Sequence, residues 1–160
     1  MKLRRWAHEG NHPAYLLGDE ATSIGLVIDP PQNPGPILDE AGRLGLSIEH
    51  VFFTGDVDGA FPSMLPFLER GAHIYRSARS IPRADITPLL PGCSITIGRI
   101  RLQALQHDAR RVAYHIYEVG ADGSKVLALT VAPTDPPVSE PGGECDGYPR
   151  SSFLHSFSRW

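Results

Sequence analysis

Cysteine is nearly missing from this chain: only Cys93 and Cys145 occur among 160 residues. Two thiols do not make a disulfide scaffold, so a reducing cytoplasm is the expected home. Neither cysteine stands in a Cys-x-x-Cys or Cys/His spacing, which leaves zinc binding by thiolates without support. Long apolar runs are absent too, so no membrane-spanning helix is expected. The start, MKLRRWAHEGNHP, is basic but leads into no apolar stretch and does not read as a signal peptide. Lys2 and Lys125 are the only lysines, and with 15 basic against 18 acidic residues the net charge is -3. No basic excess draws in a polyanion, so nucleic acid is not an expected partner. A Gly-x-Ser-x-Gly elbow, a P-loop and a dinucleotide fingerprint are all lacking.

What is present is a core and many turns. Hydrophobic residues make up 41%, which excludes wholesale disorder and fits one domain at this length. Gly 16 and Pro 15 predict frequent turns and few long helices. Ala14 to Leu17 and Ile24 to Ile28 read as two buried strands of a hairpin. The proline-rich stretch 30–36 cannot be helical inside. Ile37, Leu38, Ala41 and Leu44 fall at helical spacing, with Gly45 as the stop. Ile48 to Phe53 is a strand, and Ser63 to Arg70 a short helix that Ser63 can cap. His73 to Tyr75 is a brief strand, and residues 77–92 are mostly loop. Ser94–Ile97 with Arg99–Leu105, and Val112–Val119 with Lys125–Val131, predict two hairpins. Residues 133–160 read as loop followed by a short C-terminal piece carrying Phe153, Leu154, Phe157 and Trp160.

This order of elements, with several short strings, resembles the metallo-β-lactamase fold family, its glyoxalase-II-like and persulfide-dioxygenase-like branches most of all. The strings are Tyr15-Leu16-Leu17, Leu26-Val27-Ile28-Asp29-Pro30, His50-Val51-Phe52-Phe53-Thr54, Gly71-Ala72-His73-Ile74-Tyr75, Leu90-Pro91-Gly92 and Ile95-Thr96-Ile97-Gly98. They span roughly residues 11 to 132, and their ordered succession carries the likeness. The resemblance implies an α/β (α+β by stricter usage) domain: a compact sandwich of mostly antiparallel strands with flanking helices. Its C-terminal part is shortened.

The family's chemistry needs a turn that wraps histidine and aspartate ligands, in the order Thr-His-x-His-x-Asp-His, around one or two cations. Aligned on Thr54, those ligand positions fall here on Gly55, Val57, Gly59 and Ala60, none of which can coordinate a metal. His107 takes the place of a later ligand histidine, and the bridging aspartate falls near Val131-Ala132. The resemblance therefore implies a metal-free, cofactor-free relative, a binding or structural module whose small-molecule ligand the sequence does not name. A second expectation is a hydrolase of a thioester or ester, using Asp56, Asp58 and His107 with a weakly held cation.

The residual polar candidates are Asp56, Asp58, His107, Asp108 and Arg110. Asp56 and Asp58 beside glycines suit a hard cation through oxygen, but a capped turn is the favoured reading. His107-Asp108 offers an imidazole beside a carboxylate, and a solvated loop pair is favoured over a general base. Arg110-Arg111 can clamp an anion, or form a wet edge paired with Asp108. Arg76, Arg79 and Arg83 form a looser basic cluster, also read as solvated. His8 and His12 read as solvated, His73 and His115 as structural strand residues. A sandwich shortened at its C-terminal side leaves an edge or apolar face to cover, which predicts a homodimer there.

Overall fold

The computed structural model describes residues 1–6, 13–55, 61–77, 86–108 and 111–133. Ten strands and two helices follow one another: β1 (Lys2–Trp6), β2 (Ala14–Asp19), β3 (Ile24–Ile28), α1 (Gly35–Arg43), β4 (Ser47–Phe52), α2 (Phe61–Leu68), β5 (His73–Ser77), β6 (Ile86–Leu89), β7 (Ser94–Ile97), β8 (Ile100–Gln106), β9 (Val112–Val119) and β10 (Lys125–Val131). A six-stranded sheet runs in the order β1-β2-β3-β4-β5-β6, and a four-stranded sheet in the order β10-β9-β8-β7. β1 to β3 pair antiparallel, β3 to β6 pair parallel, and the second sheet is antiparallel throughout.

Strand alternation divides the core into two layers. Val27, Val51, Phe53 and Ile74 meet Ile37 and Ala41 of α1 and Met64 and Phe67 of α2 on one face of the large sheet. Leu17, Leu26, Ile28 and Phe52 meet Ile100, Leu102, Ala104, Tyr114 and Ile116 between the two sheets. The molecule is thus a mixed α+β sandwich with helices on the outer face of the large sheet.

One strand is new and three local expectations are corrected. Lys2–Trp6 is a strand, paired with β2, although its charged composition gave no strand signal. Ile86–Leu89, inside the stretch read as mostly loop, is the edge strand of the large sheet, where Pro88 is tolerated at the rim. Helix α1 begins at Gly35, inside the proline-rich stretch, because Pro36 sits in its first turn where no N–H is needed. Helix α2 begins at Phe61, so Ser63 lies within the helix rather than capping it. The hairpin around Gly98 holds as expected: φ is +55 there, and a Cβ would collide with the Asp19 carboxylate, so the β7–β8 turn seats on the β2 end.

Along β4 and at the start of β5, His50 and His73 face one another across the sheet, ring centroids 5.7 Å apart, and His50 Nδ1 lies 3.3 Å from the Tyr75 hydroxyl. His115 is half-buried on β9, with Nδ1 3.3 Å from the Tyr117 hydroxyl. Burial and then the neighbouring His73 hold His50 below the ordinary histidine pKa, with Glu49 opposing. The unfolded chain therefore binds the proton more readily than the folded one. The stability that neutral His50 contributes is complete above about pH 6.5 and is lost as pH falls from there through the depressed folded value. Urea unfolding at several pH values checks this: the drop below pH 6.5 should be smaller in His50→Gln, and an unchanged pH profile contradicts it.

Candidate functional site

The chemistry that the sequence suggests belongs where β3 and β4 end. Asp29 follows β3 in the left-handed region, with φ +50, a conformation that aspartate tolerates better than most residues. Its N–H donates to the Phe52 carbonyl at 2.9 Å. Its carboxylate accepts the Thr54 N–H at 2.8 Å and the Thr54 hydroxyl at 2.7 Å. The Thr54 carbonyl in turn accepts the Val112 N–H at 2.9 Å, and the Phe53 carbonyl accepts the Tyr114 hydroxyl at 2.8 Å. The end of β4 is thereby tied both to β3 and to β9 of the other sheet.

Tyr114 is fully buried, edge-on to Phe52 with ring centroids 5.6 Å apart. Burial, reinforced by the Asp29 carboxylate, pushes its hydroxyl well above the ordinary phenol range, so it stays a neutral donor. Thr54 is 2% exposed, so its hydroxyl is occupied holding Asp29 rather than facing a substrate.

The second sheet contributes the turn between β8 and β9. Asp108 accepts the Arg111 N–H at 2.8 Å and forms an ion pair with the Arg111 guanidinium. The His107 and Asp108 N–H groups both donate to the Arg111 carbonyl. His107 is exposed, and no hydrogen bond joins its ring to Asp108 among the described residues. The link Val112 N–H to Thr54 carbonyl places this turn beside the start of the segment that leaves β4 at Gly55. The structure therefore brings His107, Asp108 and Arg111 to the same end of the sandwich as Thr54 and Gly55. Asp56, Asp58, Val57, Gly59, Ala60 and Arg110 lie outside the described residues, as do His8, His12, Arg79, Arg83, Cys145 and the C-terminal aromatic residues. Cys93 is exposed and free.

The expectation for Arg76 is corrected: it is 3% exposed, not solvated. The residues that the sequence did not mark are Asp29, Thr54 and Tyr114 as a connected unit. Only the tyrosine's inward position in an alternating strand signalled burial.

The described residues at these strand ends do not by themselves assemble a transition-metal site. Among the described residues, no three His, Cys, Asp or Glu side chains converge on one point. Asp29 is committed to Thr54 and Asp108 to Arg111. A Cβ at Gly55 would meet nothing within 4 Å, so packing leaves room for a ligand there and the sequence supplies none. A cavity of about 410 Å³ lies elsewhere, between β1 and α1, where Glu40 bridges Arg4 and Arg43. It holds none of the candidate residues.

No helix among the described residues is long and apolar enough to cross a membrane. No protein-family model matches the chain, and no curated protein matches its sequence. Solved structures do match its backbone. A metallo-β-lactamase from Staphylococcus aureus aligns with TM-score 0.70 at 20% identity, over 81% of this chain and 42% of that one. ETHE1 from Myxococcus xanthus aligns with TM-score 0.64 at 25% identity, over 72% of this chain and 54% of that one. A B3 metallo-β-lactamase with an active-site glutamic acid aligns with TM-score 0.60 at 17% identity, over 81% and 59%. The chain spans about half the length of these structures. Two packed sheets, helices outside the larger one and these matches lead to one conclusion: the chain has the metallo-β-lactamase fold.

Proposed function

We propose that the chain is a non-catalytic, metal-free member of this fold that serves as a binding or structural module. The observation that carries the reading is the employment of the polar groups at the strand ends: Asp29 holds Thr54, Asp108 holds Arg111, and Gly55 brings no donor. A hydrolytic centre needs carboxylates and imidazoles free to hold a cation and activate water. The second reading, hydrolysis of a thioester or ester by Asp56, Asp58 and His107, has in its favour the exposed His107 at the same strand ends.

Assays of thioester and ester hydrolysis with added zinc, manganese or magnesium separate the two. The module predicts no turnover above a chelator-treated control, and no difference between the wild type and Asp58→Ala. Turnover that is lost in Asp58→Ala and in His107→Ala, with folding intact, would establish the hydrolase instead. A cytoplasmic home fits the single exposed thiol of the described part.

Self-association belongs to the same proposal. β10 is an edge strand, and Val126 and Leu127 on it are 66% and 51% exposed. Such an edge pairs readily with a second copy of itself. Light scattering at micromolar concentration should report a dimer, and a monomer at every concentration would remove the idea.

A further inference from the structure

Two imidazoles stand side by side on the large sheet, away from the strand-end site. Strand alternation puts His50 on the face of Phe52, and His73 on the face of Tyr75. His50 and His73 are direct partners in the parallel register of β4 and β5. That pairing holds their ring centroids 5.7 Å apart, with 27° between the planes. His50 is half-buried and His73 exposed, so solvent reaches the pair. Along the chain from His50 to Thr54 the strand rise covers about 13 Å, which separates the pair from the strand ends.

The two rings differ in freedom. His50 is held: its ring lies 6.5 Å from that of Phe52 and 5.8 Å from that of Tyr75, and its Nδ1 is 3.3 Å from the Tyr75 hydroxyl. With Nδ1–H donating to the Tyr75 oxygen, the Nε2 lone pair is left for a cation. A ligand histidine usually has its second nitrogen hydrogen-bonded in this way, which fixes tautomer and orientation. No described residue hydrogen-bonds the His73 ring, so it can turn on its exposed side chain. Glu49, exposed beside His50 on β4, adds a negative charge that acts on it. Burial and the neighbouring His73 favour the neutral form of His50, which is the form that ligates.

We propose that His50 and His73 form a chelating pair for a divalent transition cation that prefers imidazole, copper, nickel or zinc, with water in the remaining positions. An ion about 2.0–2.1 Å from one nitrogen of each ring lies about 3.2 Å from each ring centre, so tetrahedral sharing puts the centres about 5.2 Å apart. Rotation of His73, with closure by about half an ångström, meets that requirement. Copper(II) should bind most tightly. Two protein ligands hold an ion loosely, so dialysis removes it. The pair neither needs nor supplies a ligand at the strand ends, and it stands independently of the reading given for them.

The test is calorimetric titration of the full chain with nickel(II) at neutral pH. One saturable site is expected, weakened about a hundredfold in His50→Gln and in His73→Gln, because each variant leaves one imidazole without its chelating partner. His73 is exposed, so His73→Gln reads the pair without disturbing the core. Tyr75→Phe should weaken the site about tenfold by removing the group that orients His50. Substoichiometric copper(II) should broaden the ring proton resonances of His50 and His73 before those of the other histidines. Nickel binding that is unchanged in both glutamine variants, or that is lost instead in a His8→Gln, His12→Gln double variant, would be an adventitious ion only and would overturn the proposal. No saturable binding to the wild type would overturn it as well.

Discussion

Tyr114→Ala is expected to cost about 4 kcal/mol. The side chain is fully buried between the sheets, packs edge-on to Phe52, and closes the span between β9 and the end of β4 through its hydroxyl. Phe52 stacks in turn on Tyr75, ring centroids 4.7 Å apart, so the cavity would open beside a second aromatic contact. Tyr114→Phe keeps the ring and removes only the bond to the Phe53 carbonyl, which sets its cost near 1 kcal/mol. Urea titrations of the three proteins check the pair. Comparable losses for Phe and Ala would mean that the hydroxyl, not the ring volume, holds the sheets together there.

Asp29→Ala should destabilise by about 3 kcal/mol. Two hydrogen bonds from Thr54 to a charged acceptor disappear, and alanine must occupy a left-handed conformation that costs it about 1 kcal/mol more than it costs aspartate. For a domain of this size the midpoint should fall by about 6–12 °C. Asp29→Asn tolerates the backbone and keeps one acceptor, so its loss should be about half as large. Thr54→Val removes only the hydroxyl bond and should resemble Asp29→Asn. An Asp29→Ala protein as stable as the wild type would show that this carboxylate is not structural. It would then be free for another role, which weakens the module reading directly.

The hairpins were legible because their signals are local. Val112–Val119 and Lys125–Val131 alternate around a glycine-bounded turn, and both strands have those limits. β1 was hidden because three of its five residues are basic, a composition that suits an edge strand but carries no apolar alternation. β6 was hidden by Pro88, which reads as a breaker unless the strand is known to lie at a sheet edge. In α2, the capping potential of Ser63 set the expected start and placed Pro66 near the first turn; the helix begins at Phe61, so Pro62 takes the first-turn place and Pro66 lies inside the helix.

The candidate site was legible only in part. His107, Asp108 and Arg111 form a compact turn whose spacing, three residues from carboxylate to guanidinium, is visible in the sequence. Asp29 and Thr54 stand 25 residues apart, and only the parallel pairing of β3 with β4 brings them together. The buried state of Arg76 follows from its parity with Ile74 on β5, a clue that its charge concealed.

Metal content is the measurement that bears most directly on the proposal that the chain is metal-free and non-catalytic. Elemental analysis of the full chain, purified without chelator and dialysed, should find zinc, iron and manganese each well below one ion per chain. Close to one tightly retained ion per chain would contradict the account, since the strand ends would then hold a coordination site that Gly55, Asp29 and Asp108 do not provide.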